Sequence, residues 1–76
     1  MKKQILKHGI VDPDGIPMRI RWDLFKREGD SVFIPCLNTK RAADQMQYIA
    51  KARYMRVRCQ VRIENGKYGI RAWRTL

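Results

Sequence analysis

The sequence predicts an α+β fold: a small antiparallel sheet in the order strand, strand, helix, strand, strand, with one helix packed on one face. Three observations carry this expectation. Met55, Val57, Cys59, Val61 and Ile63 alternate with Arg56, Arg58, Gln60 and Arg62, the period-two pattern of a strand with one buried face. Asn65-Gly66 follows, a dipeptide suited to a two-residue type I′ turn because both central residues need positive φ. Between residues 39 and 53, small and apolar side chains recur at helical spacing.

Residues 1–9 are polar and basic apart from Ile5 and Leu6, and they read as an N-terminal arm preceding a single small domain over residues 10–76. The arm is either a solvated tail or a tracker of phosphates. Asp12-Pro13-Asp14-Gly15 is a turn sequence, with proline presetting φ and glycine permitting its positive values, so residues 10–17 are expected to be loop. Met18, Ile20 and Trp22, interleaved with Arg19 and Arg21, predict a first strand with its arginines outward. Residues 23–28 then suit one helical turn, Leu24 and Phe25 packing inward and Gly29 ending it in the left-handed conformation.

Residues 31–37 are rich in β-branched and aromatic side chains and predict a second strand. Pro35 cannot donate to a ladder, so this strand lies at an edge or breaks there. Asn38 or Thr39 is placed to cap the helix. Its inner stripe is Ala42, Ala43, Met46, Ile49, Ala50 and Arg53; its outer face is Lys40, Arg41, Asp44, Gln47 and Lys51, with Tyr48 at the border.

The turn at Asn65-Gly66 sets the register of the last two strands. Glu64 pairs with Lys67, Ile63 with Tyr68, Val61 with Ile70 and Cys59 with Ala72, so both strands send apolar groups to one side. On the other side Arg62 opposes Gly69, Gln60 opposes Arg71 and Arg58 opposes Trp73. The outer face is therefore expected to hold Arg56, Arg58, Arg62 and Arg71 in solvent around an exposed indole.

Seventy-six residues bury only about 60% of their unfolded surface. Either the sheet and helix share a minimal core or a second copy of the chain completes it. The net charge is +10, from 17 basic and 7 acidic side chains. Residues 40–76 hold 10 basic and 2 acidic groups, so the cationic surface belongs to the C-terminal half. Cys36 and Cys59 lack zinc-site spacing and read as small apolar fillers in strands. No secretory signal or membrane span is expected, and the reading is of a cytoplasmic protein.

Enzymatic readings find little support. His8 is the only histidine and lies in the arm with no Cys, Asp or Ser at a useful spacing. Asp12 and Asp14 share a turn, there is no phosphate-cradling glycine loop, and no metal or other cofactor is implied. The arginine-rich face points instead to nucleic acid. Guanidinium groups bind phosphates bidentately and stack on bases, and an indole supplies a further stacking surface. A two-stranded ribbon also fits the major groove, so DNA is expected over RNA. The candidate contacts are Arg56, Arg58, Arg62, Arg71, Trp73 and Lys67 on the hairpin, with Lys40 and Arg41 in the first helical turn. There, free amides and two cations would converge on one phosphate. The alternatives are that the arginines only cover aromatic surface and guard the sheet edge, or that the same face grips an acidic surface of a host enzyme.

Gly29-Asp30-Ser31-Val32-Phe33-Ile34-Pro35, Glu64-Asn65-Gly66 and Gly69-Ile70-Arg71-Ala72-Trp73-Arg74 also carry a resemblance. Over about residues 22–74 the chain resembles a group of very small bacteriophage-encoded proteins of unsettled function. They share a Gly-Asp-Ser-hydrophobic-Phe-hydrophobic-Pro segment, a basic helix and a C-terminal Gly-x-Arg-x-Trp-Arg strand. The resemblance implies an accessory or regulatory protein in the cytoplasm of a bacterial host, acting on nucleic acid or on a host machine. It assigns no catalytic residue, and neither Cys36 nor the segment before Trp22 has a counterpart in it.

Overall fold

Alternating side chains and a tight turn build the main sheet of the computed structural model, which describes residues 10–76. The expected basic arm, with His8, lies outside the described residues. Two strands, β1 (Ile10–Val11) and β2 (Met18–Arg19), form a separate antiparallel ribbon. Then come β3 (Ser31–Pro35), helix α1 (Thr39–Ala52), β4 (Val57–Glu64) and β5 (Lys67–Arg74). The last three strands make an antiparallel sheet in the order β3-β5-β4. The fold is α+β, with its strands divided between two sheets rather than gathered into one.

The hairpin register is the one derived from Asn65-Gly66. Every pair from Glu64 with Lys67 to Arg58 with Trp73 is present, and Asn65 and Gly66 have φ of 52° and 76°. The β3 register adds Val32 opposite Ala72 and Ile34 opposite Ile70, so these side chains share a face with Val57 and Cys59. Helix α1 lies on that face. Ala42, Met46, Ile49 and Ala50 pack with Ile34, Val57, Ile70 and Ala72, joined by Val11, Ile20, Phe25 and Cys36. The shortest extent of the molecule is 17 Å, the thickness of one helix on one sheet. Among the described residues, no element covers the second sheet face. No helix among the described residues is long and apolar enough to cross a membrane.

Several local expectations are corrected. The first strand stops at Arg19 and pairs with Ile10–Val11, not with the main sheet. Trp22 instead starts a single 3-10 turn, Trp22–Leu24, and closes on Ile20 through a backbone bond of 3.0 Å. A 3-10 turn eclipses its side chains three apart, so Phe25 turns into the core while Leu24 points into solvent. Arg53, assigned to the inner stripe, is exposed, and its guanidinium carbon sits 4.5 Å from the ring centre of Trp22. The buried place on that stripe belongs to Gln45. It donates to the Asp12 carboxylate at 2.6 Å and accepts from the Asp12 amide at 2.9 Å, tying the first turn to the helix.

The main sheet depends on a close approach at Gly69, opposite Pro35. A Cβ there would collide with the carbonyl oxygen of Ile34 and lie 2.8 Å from the Cα of Pro35. Both obstacles are backbone and cannot rotate away. Gly69→Ala is expected to cost ~1–3 kcal/mol, as overpacked sites do, lowering the melting temperature by about 4–8 °C per kcal/mol in a domain of this size. Thermal unfolding followed by circular dichroism checks this, and an unchanged melting temperature would contradict the close approach.

Candidate nucleic-acid interface

The uncovered face of the sheet is set out by the same alternation that fills the core. Strand β5 is central, so each outward residue on it has two cross-strand neighbours. Trp73 lies between Ser31 and Arg58, Arg71 between Phe33 and Gln60, and Gly69 between Pro35 and Arg62. This central position corrects the expectation for Trp73: the indole is half-buried, and the guanidinium carbon of Arg62 lies 5.7 Å from its ring centre.

Arg71 is also not in solvent as expected. Its Nε and Nη2 each donate to the Glu64 carboxylate at 2.6 Å, and its Nη1 donates to Ser31 Oγ at 2.7 Å. The guanidinium carbon lies 5.9 Å from the ring centre of Phe33. With side-chain exposures of 26% and 20%, Arg71 and Glu64 form a bidentate strut across the sheet, and Glu64 also faces Arg62 Nε at 3.4 Å. Hydrogen bonds from Arg71 hold the Glu64 carboxyl below the usual carboxylate range, and the same contact raises Arg71. A residue that spends three donors on the protein has little left for a phosphate.

Arg58 and Lys67 are exposed on this face, Arg62 reaches it over Trp73, and Arg56 continues the alternation just before β4. Among the described residues Arg56, Arg58 and Lys67 make no ion pair. Beside Trp73 the surface dips into an open hollow of ≈ 430 Å³, lined by Glu28, Gly29, Arg58, Gln60, Arg74 and Thr75 together with the indole. Phe33 and the hollow were not read from the sequence. The turn that fixes β4 against β5 says nothing about β3, which reaches the sheet from a distant part of the chain.

Lys40 and Arg41 are not brought to this face, because α1 packs on the other side of the sheet. Several amides around them are taken up by the protein's own side chains. Asn38 is the N-cap and accepts from the Arg41 amide at 3.1 Å, while the Asp14 carboxylate accepts from the amides of Leu37 and Asn38 at 2.9 Å each. These backbone bonds lower Asp14 below the usual carboxylate range. Lys40 pairs with Asp44 at 3.4 Å and Arg41 with Asp12 at 3.6 Å. The protein's own carboxylates occupy the place where an external anion was expected.

The two thiols are free. Burial pushes Cys59 up to about 11 and also raises Cys36, which keeps both in the unreactive thiol form near neutrality. No family model, no curated protein and no solved structure matches this chain.

Because the folded protein depresses Glu64, its contact with Arg71 stabilises the fold above the ordinary carboxylate range. That contribution disappears as pH falls through the depressed value. Glu64→Gln is therefore expected to lower the melting temperature near neutrality, with the difference from the parent shrinking between ~pH 6 and ~pH 2. Asp14, Asp23 and Asp30, all held low by hydrogen bonds, keep part of the acid sensitivity in both proteins. A difference that stays constant with pH would show that the strut contributes no ionic stabilisation.

Proposed function

We propose that this chain is a small nucleic-acid-binding protein, with DNA preferred to RNA, that lays the outer face of its sheet along the phosphate backbone. One observation carries the reading: on a sheet face that no other described element covers, Arg56, Arg58 and Arg62 stand exposed near a half-buried indole, with Lys67 further along the same face. Arg56, Arg58, Arg62 and Lys67 supply the charge, and Trp73 with the adjacent hollow supplies apolar surface on which a base can stack. Arg71 acts as the brace that keeps this face flat, and Lys40 and Arg41 lie outside the contact. The protein's own chemistry in this role is binding, without catalysis and without a cofactor.

Most of the affinity comes from counterion release, so little sequence preference is expected. The resemblance to small bacteriophage-encoded proteins fits an accessory or regulatory role in the cytoplasm of a bacterial host.

Gel shifts of the purified chain against duplex DNA, single-stranded DNA and RNA at two salt concentrations test the reading. Binding is expected to weaken steeply with salt, log K falling by ~0.9 per phosphate contact on duplex DNA. Arg58→Glu with Arg62→Glu is expected to keep the fold, reduce affinity more than ~10-fold and lower the salt slope by ~2. Affinity that barely changes with salt, or survives this double substitution, overturns the proposal. A stoichiometric protein captured from nuclease-treated host lysate, with no nucleic acid bound, would move the same face to an acidic host protein.

A further inference from the structure

Among the described residues, the outer edge of β4 combines unpaired backbone with exposed apolar side chains. The turn is closed by the Glu64–Lys67 pair, so the even residues of β4 direct their amide and carbonyl groups to β5 and the odd residues direct theirs outward. Gln47 shows this parity: its Nε2 donates to the carbonyl of Val57 at 2.9 Å, covering the first outward position. Among the described residues nothing hydrogen-bonds the outward groups of Cys59, Val61 and Ile63. In the distal hairpin the core-side face is bare as well, because α1 covers only its near half. Val61, Ile63 and Tyr68 are 51%, 71% and 44% exposed. A groove of ≈ 250 Å³ runs beside this edge between α1 and the sheet, lined by Thr39, Lys40, Ala43, Cys59, Val61 and Ile70 among others.

We propose that a second copy of this chain occupies the edge, pairing β4 antiparallel with its own equivalent about a two-fold axis that passes between the two Val61 residues. Charge favours this register over its two neighbours. With Val61 opposite itself, Cys59 meets the second copy's Ile63, Gln60 meets Arg62, and Arg58 meets Glu64. Apolar residues oppose apolar ones, and no arginine opposes another. Sliding the strands so that Gln60 opposes itself sets Arg58 against Arg62, and sliding them the other way sets Arg62 against Arg62. In both neighbouring registers those arginines oppose one another, and in this one they do not.

The ladder adds about six backbone hydrogen bonds, two at each pairing of outward residues. It also delivers Ile63 of each copy, opposite Cys59, to the groove beside Ala43 of the other. Both helices then lie on one side of a six-stranded sheet and both arginine faces on the other, making one cationic surface twice as long. The dimer stands independently of what that surface binds.

Sedimentation equilibrium of the full chain at tens of micromolar tests this, with backbone amide exchange measured by NMR at high and low concentration. The expected mass is twice the 9.1 kDa of the chain. The amides of Cys59, Val61 and Ile63 are expected to exchange at least ~10-fold more slowly in the concentrated sample. Val61→Pro removes only an outward donor and leaves the β4–β5 ladder intact, so it is expected to give a folded monomer. Ile63→Lys, which places a charge in the groove, is expected to do the same and serves if the proline variant does not fold. A single-chain mass at the highest concentration overturns the proposal. So does a dimer whose three amides exchange freely, or one that persists in a folded form of either variant.

Discussion

The two-residue turn at Asn65-Gly66 is the constraint on which the rest of the molecule depends. Positive φ at both positions closes the hairpin without a bulge, and this decides which side of the sheet each residue of β4 and β5 occupies. A slip of β4 by one residue would carry Val57 and Cys59 into solvent and turn its arginines toward α1. The core, the cationic face and the outward polar groups of the β4 edge all follow from this single register. Gly69 extends its reach to the third strand, since β3 approaches β5 closely only where no side chain intervenes.

A surplus of positive charge on a thin fold is managed by placing the few carboxylates where they brace the backbone. Asp14 joins the first turn to the start of α1. Asp30 accepts from the amides of Lys26 and Arg27, while its own carbonyl accepts from the Arg74 amide. Glu64 pins Arg71 across the sheet. Residues 29–35 and 69–74 therefore have structural work in this chain. Gly29 turns with φ of 93°, Asp30 and Ser31 receive hydrogen bonds, and Arg74 donates to the Phe25 carbonyl at 2.8 Å. Among the described residues Arg56, Arg58 and Lys67 have no carboxylate partner, and with Arg62, which keeps a looser contact to Glu64, they carry the proposed binding role.

Much of the fold was legible in the sequence because its signals were local. The hairpin and its partners, a helix cap at Asn38 or Thr39, the left-handed Gly29 and an edge or break at Pro35 follow from residues adjacent in the chain. The candidate site was legible only in part. Alternation correctly put Arg58, Arg62, Arg71 and Trp73 on one face, but it does not state how deeply a residue sits or what it touches. Trp73 is half-buried because β5 has a strand on each side. Arg71 is occupied because its long side chain runs along the face from its place opposite Gln60 to Glu64, near the turn.

By itself, then, the sequence determined the side of the sheet on which each hairpin residue lies, since turn chemistry and a two-residue period act over a few positions. Only the tertiary structure decided which cations are free. An ion pair or a capped amide joins residues far apart in the chain, such as Asp14 and Leu37 or Arg71 and Ser31, and no periodicity records that meeting. It also decided that α1 is too short a cover for the hairpin, leaving Val61 and Ile63 bare, because the reach of a helix over a sheet depends on where its ends are anchored.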